Sequence, residues 1–163
     1  MAANSAGPAP AALPFHLPVP FAYVLVYLAG IGLEWTVPIR LPIQVEPGVT
    51  MAAGIGTFLL GAAIAGWGWM TFHKAGTTRI PGKLSSELVT WGPYRFTRNP
   101  MYLGMAIAYI GEALIQRHVW PVILLPLVIG FVNWIVIPVE QTNMTAAFGD
   151  AYTKYQQRVR RWL

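Results

Sequence analysis

Four apolar stretches divide this chain, at about residues 19–39, 49–72, 101–115 and 119–139. A helix needs about 20 residues to cross the hydrocarbon core of a bilayer, and three of the four reach that length. The third has fifteen residues, about 22 Å at 1.5 Å per residue, and borrows Gln116 and a snorkelling Arg117 at its end. Only Arg117 and His118 separate it from the fourth, which predicts a tight helical hairpin. Composition agrees. The chain is 55% hydrophobic and 10% charged, whereas a soluble domain carries about 25% charged residues. The expected fold is an all-α, polytopic integral membrane domain of about four transmembrane helices, with a cytoplasmic loop and a C-terminal helix.

Lysine and arginine are distributed unevenly about those stretches. Lys74, Arg79, Lys83, Arg95, Arg98, Lys154, Arg158, Arg160 and Arg161 fall on one side, and Arg40 and Arg117 on the other. Positively charged loops stay in the cytoplasm, so both termini and the long central loop are expected there. The formal charge of +5 follows from this loop asymmetry and does not call for nucleic acid. Residues 1–16, beginning "MAANSAGPAPAALP", have no basic leader segment and are expected to be a disordered tail, with residues 17–163 forming a single domain. The absence of cysteine removes thiolate nucleophiles and thiolate metal sites, and the spacing of His16, His73 and His118 suggests no metal centre.

Residues 90–105, "TWGPYRFTRNPMYLGM", carry more chemistry than anchoring a helix requires. Asn99 is suited to cap exposed amides and Pro100 to occupy the first helical position. A helix starting there would point N–H groups and a positive dipole end at the cytoplasmic interface, where an anionic group is stabilised. Gly92 and Pro93 signal a turn, and Gly104 removes a side chain where something could approach closely. The same residues would also serve as an interfacial belt of Tyr and Arg around a capped helix.

The segment "LVTWGPYRFTRNPMYLG" resembles the signature of the isoprenylcysteine carboxyl methyltransferase family, which is related to the phospholipid N-methyltransferases. Members carry a Gly-x-Tyr turn and an Arg-His-Pro-x-Tyr-x-Gly motif. Two membrane segments later come an acidic pair and a Phe-Gly-x-x-Tyr-x-x-Tyr tail. Here the later element reads "VEQTNMTAAFGDAYTKYQQRVRRWL", with Glu140 eight residues before Phe148. The resemblance, covering residues 88–163, implies a cytoplasm-facing S-adenosylmethionine site built from residues 84–104 and 136–163. It also implies a lipid-side entrance for an amphiphilic or small acceptor.

Carried over by position, Leu88, Val89 and Tyr94 line the cofactor, and Asn99, Pro100, Met101 and Tyr102 wrap it, with Gly104 at its edge. Arg98 and Glu140 are the expected orienting charges, and Tyr94 and Tyr102 the aromatic walls. A sulfonium donor needs carboxylate or aromatic faces for its positive charge, and Arg or helix-end amides for its own carboxylate. Three positions depart from the pattern. Asn99 stands where His is commonest, Gln141 replaces the second acid, and "FVNWIVIPV" lacks the arginine of prenylcysteine-methylating members, which argues against a prenylated-protein substrate.

Glu34 and Glu112 lie inside apolar segments, where ionisable groups are costly. Glu34 is expected to snorkel or to pair with Arg40, and Glu112 to pair with Arg117 at the interface. Gly54, Gly61, Ala65 and Gly68 read as helix-packing positions, and "YTKYQQRVRRWL" as a basic interfacial helix that also closes the cofactor site. A proton-coupled transporter using Glu34 or Glu112 would explain the intramembrane acids but not the 99–100 or 148–149 motifs. A family member that kept the scaffold and lost catalysis is a third reading.

Overall fold

The computed structural model describes residues 18–39, 45–76 and 87–163, and all regular structure among them is helical. Helix α1 spans Val19–Thr36, α2 Pro47–Lys74, α3 Pro100–Gln116, α4 Trp120–Phe131, α5 Ile137–Phe148 and α6 Asp150–Arg158. A 3-10 turn, Gly92–Arg95, precedes α3, and a π-helical turn, Val132–Val136, joins α4 to α5. Proline occupies one of the first two positions of α1 to α4, where its missing N–H has no intrahelical bond to lose. The expected tail (residues 1–16), Arg40, Arg79 and Lys83 lie outside the described residues.

Three helices are long and apolar enough to cross a membrane: α1, α2 and the continuous rod Trp120–Phe148. The seventeen-residue α3 is shorter and ends at Gln116, with Arg117 as its left-handed cap at φ 58°. The fourth apolar segment was expected to end near residue 139, but the helix runs on to Phe148. Falling hydropathy ends the stretch suited to lipid, whereas the helix itself stops only at Gly149. Leu59, Leu60, Leu127 and Trp134 face outward, as lipid solvation permits. Inside, Tyr23 and Tyr27 of α1, Tyr102 and Tyr109 of α3, and Val128, Val132 and Val136 of the rod share one core.

Helices α2 and α3 meet along a seam of small residues. A Cβ on Gly54 would come 2.7 Å from the Ile115 nitrogen, and one on Gly104 2.5 Å from the Ala65 nitrogen. Gly61 lies against the Ala108 nitrogen and Gly111 against the Phe58 nitrogen, so backbone touches backbone. Lipid tails are as apolar as leucine, and such close packing drives association of helices in a membrane. The space a Cβ would fill at Gly104 is thus taken by α2.

Both intramembrane acids accept hydrogen bonds from protein groups. Glu34 Oε2 accepts from the backbone N–H of Val119, at 3.0 Å, and of Trp120, at 3.2 Å. The start of α4 has no side-chain cap of its own, and a carboxylate from α1 satisfies its exposed amides and its positive dipole end. The expected pairing with Arg40 falls outside the described residues. Glu112 accepts from Gln116 Nε2 at 2.6 Å, one turn along its own helix, in place of the expected pairing with Arg117.

The seam makes a differential prediction. Gly61→Ala should destabilise the protein by about 1–3 kcal/mol, because the new methyl meets backbone that cannot rotate away. Gly66→Ala, with nothing within 4 Å, should be neutral or stabilising by up to about 1 kcal/mol. Thermal unfolding of both variants in detergent tests the contrast, and equal effects would remove the seam.

Candidate active site

The site begins at the end of α2. Gly92 has a φ of +62°, a conformation glycine adopts without strain, and its missing side chain leaves room for Thr71 of α2. The turn that follows buries Tyr94, whose ring meets Phe72 of α2 edge-on at 4.9 Å. Val89, Tyr94 and Phe72 form a second core with Tyr152 and Tyr155 of α6, against which Leu88, Met144 and Phe148 pack. Tyr155 donates its hydroxyl proton to the Tyr94 carbonyl at 2.8 Å. Leu88, Val89 and Tyr94 are thereby brought against the two tail tyrosines.

Asn99 does sit at the N-cap position of α3, and its carbonyl accepts from Leu103 N at 3.0 Å. Its side chain makes no capping bond to α3, contrary to expectation. The Asn99 amide, only 2% exposed, donates to the Arg161 carbonyl at 2.9 Å. Thr97 donates to that same carbonyl at 3.2 Å and accepts from Asn99 N. A carbonyl on the C-terminal segment thus draws the amide away from the helix. Pro100 and Met101 pack over Gly68 of α2.

Tyr102 turns the other way. Its hydroxyl donates to Glu140 Oε1 at 2.5 Å, and its own carbonyl accepts from Tyr23 at 3.2 Å. Glu140 Oε2 and the Arg98 Nε and Nη1 atoms are closed off from solvent. These segments carry a carboxylate backed by a phenol, a guanidinium and aromatic rings. Among the described residues, no cluster of His, Cys, Asp or Glu could hold a metal ion.

Sequence reasoning missed the residues that tie these parts together. Arg161 Nη1 donates to the Asn133 carbonyl and Oδ1, at 3.3 and 3.2 Å, and Nη2 donates to Gln141 Oε1 at 3.1 Å. Trp162 Nε1 adds a bond to Asn133 Oδ1 at 3.0 Å. Pro138 was the available signal. In the π turn the Ile137 N–H goes to the Val132 carbonyl. The next donor, for Asn133, would be residue 138, and proline has no N–H. Arg161 takes the carbonyl that Pro138 leaves open.

The family model described as phospholipid methyltransferase matches residues 49–151, from α2 to the start of α6. A methanethiol S-methyltransferase 1 from Bradyrhizobium diazoefficiens is 29% identical over 91 residues, which is 55% of this chain. That stretch covers 29% of the relative's length, so this chain accounts for less than a third of it. No solved structure matches the chain.

The matched region ends just past Gly149, where α5 gives way to α6. Gly149 has φ 50° and ψ −125°, a conformation strained for any residue with a Cβ, although no atom lies within 4 Å of that position. Gly149→Ala should therefore act through backbone strain alone and cost about 1–3 kcal/mol. It should loosen α6 from Tyr94, visible as a lower unfolding temperature. A variant as stable as the parent would show that the junction tolerates a side chain.

Proposed function

We start from the fact that this chain belongs to the phospholipid methyltransferase family, and we propose that it moves a methyl group from S-adenosylmethionine to an amphiphilic or small acceptor reached from the membrane. The observation that carries this reading is the 2.5 Å bond between Tyr102 and Glu140, residues from two separated motifs. In this reading Glu140 faces the sulfonium charge, Tyr94 and Tyr102 supply aromatic surface, and Arg98 holds the donor's carboxylate. Leu88 and Val89 line the donor site, and Asn99 shapes it through its bond to Arg161. When bound, the donor would supply an electrophilic methyl to a lone pair on an acceptor oxygen, nitrogen or sulfur, its carbon–sulfur bond breaking in line as the new bond forms and the demethylated thioether leaving. The protein's part is alignment and exclusion of water, each able to contribute several kcal/mol. The name of the methanethiol S-methyltransferase relative adds small thiols to the acceptors to be tried. A transporter is less well supported, because Glu34 caps α4 and Glu112 binds Gln116.

Purified protein should bind S-adenosylmethionine and its demethylated product, by calorimetry or thermal shift. Arg98→Lys keeps the charge but loses the planar fork, and should weaken donor binding by about 10- to 100-fold, or about 1.5–3 kcal/mol. Glu140→Gln keeps shape and removes charge, and should lower turnover by a similar factor. Absence of donor binding by the parent, well above micromolar concentration, counts against the function. Near-normal methyl transfer by both variants returns the two residues to anchoring.

The reading also needs the site on the cytoplasmic side. Reporter tags at residue 2, at Lys83 and after Leu163 should report the cytoplasm, and one near Pro47 the outside. A tag at Lys83 that reads external overturns the orientation.

A further inference from the structure

We propose that Arg161 is a positioning residue for methyl transfer: it straps the 97–99 turn to the inward face of the long rod and so sets the distance between the two halves of the site. The proposal rests on the functional reading above. Its basis is that one residue holds both halves, through different atoms. The Arg161 carbonyl receives Asn99 Nδ2 at 2.9 Å and the Thr97 hydroxyl at 3.2 Å, while the Arg160 carbonyl receives Arg98 N at 3.0 Å. The Arg161 guanidinium reaches the other way, to Asn133 and Gln141. Gln141 adjoins Glu140, and Asn99 adjoins Arg98, so the strap ends beside each proposed orienting charge.

The chemistry of the strap is specific. All three guanidinium acceptors are neutral oxygens, and a charged donor makes hydrogen bonds about twice as strong as a neutral one. A planar fork serves Asn133 and Gln141 together, which a single ammonium does not. On the other side, Thr97 and Asn99 are 3% and 2% exposed. If the segment undocked, their donors to Arg161 would lose a partner inside the protein, which buried polar groups tolerate poorly. The tail therefore docks in one place, and the guanidinium decides how firmly. Gln141, which departs from the family's second acid, fits this role as an amide acceptor for Arg161.

The test compares the parent with Arg161→Ala, Arg161→Lys and Gln141→Leu in detergent. Arg158→Ala, on the exposed side of α6, is the control. Amide hydrogen exchange over residues 96–100 reads the strap directly, and calorimetry with S-adenosylmethionine reads the site. Arg161→Ala should speed exchange at the Arg98 amide and raise the donor dissociation constant, each by about tenfold. Arg161→Lys should be nearly as impaired, Gln141→Leu partly so, and the control unchanged. If Arg161→Ala does not fold, the Lys and Leu variants carry the comparison. Unchanged exchange in Arg161→Ala, or full function of Arg161→Lys, overturns the proposal. A lowered unfolding temperature with unchanged donor affinity also overturns it, because the residue would then be merely structural. If the parent binds no donor, the functional reading falls, and the exchange measurement alone decides whether the strap exists.

Discussion

Everything at the candidate site depends on how closely α2 and α3 approach. The seam at Gly54, Gly61, Gly104 and Gly111 lets backbone meet backbone, and it leaves little freedom to slide, because each glycine is matched to one position opposite. That register fixes the end of α2 relative to the start of α3. Phe72 then lies where Tyr94 can meet it, and Thr71 where the Gly92 turn has room. A bilayer offers no hydrophobic drive to bring two apolar helices together, so shape at the seam has to supply it.

The second dependency runs through the C-terminal segment. Arg161 is nearly the last residue of the chain, yet it touches the turn before α3 and the middle of the rod. It follows the α5 to α6 break at Gly149, after which Tyr152 and Tyr155 pack with Tyr94. Its docking needs an open acceptor on the rod, which Pro138 provides. Two backbone irregularities thus have one consequence, a tail that returns to the site.

Much of this architecture was legible in the sequence. Apolar length marked the helices, and Pro100 marked the start of α3. The paired motifs marked the two segments around residues 88–94 and 148–155, and Leu88, Val89 and Tyr94 do pack against the tail tyrosines. What escaped was polar and non-local. The partners of Glu34 are backbone amides 85 and 86 residues away, and amides carry no sequence signature. The partner of Gly104 was not legible either, because a glycine that admits a ligand and one that admits a helix have the same spacing. Asn99 followed its propensity in position but not in hydrogen bonding, since a carbonyl from a distant segment outcompeted its own helix. Arg161 read as one more charge in a basic tail, and only the folded chain shows where its fork lands.

The π turn explains how an otherwise lipid-facing rod presents polar groups to the site. Up to and through it, the large buried side chains are Leu125, Val128, Val132 and Val136, three or four residues apart as on one helix face. A π turn inserts one residue and rotates all that follows by about 100° relative to an uninterrupted helix. Val136 and Ile137 are consequently both buried. Beyond them, Glu140 reaches Tyr102, Gln141 reaches Arg161 and Met144 packs on the second core. Without the insertion the inward face would pass through Val139 and Asn143, and Gln141 would turn away from the tail. Pro138 favours the irregularity, because an α-helical register at that point already lacks a donor. A single proline near the end of a membrane helix thereby aims an acid and an amide at the same side of the rod, where two separate chain segments converge.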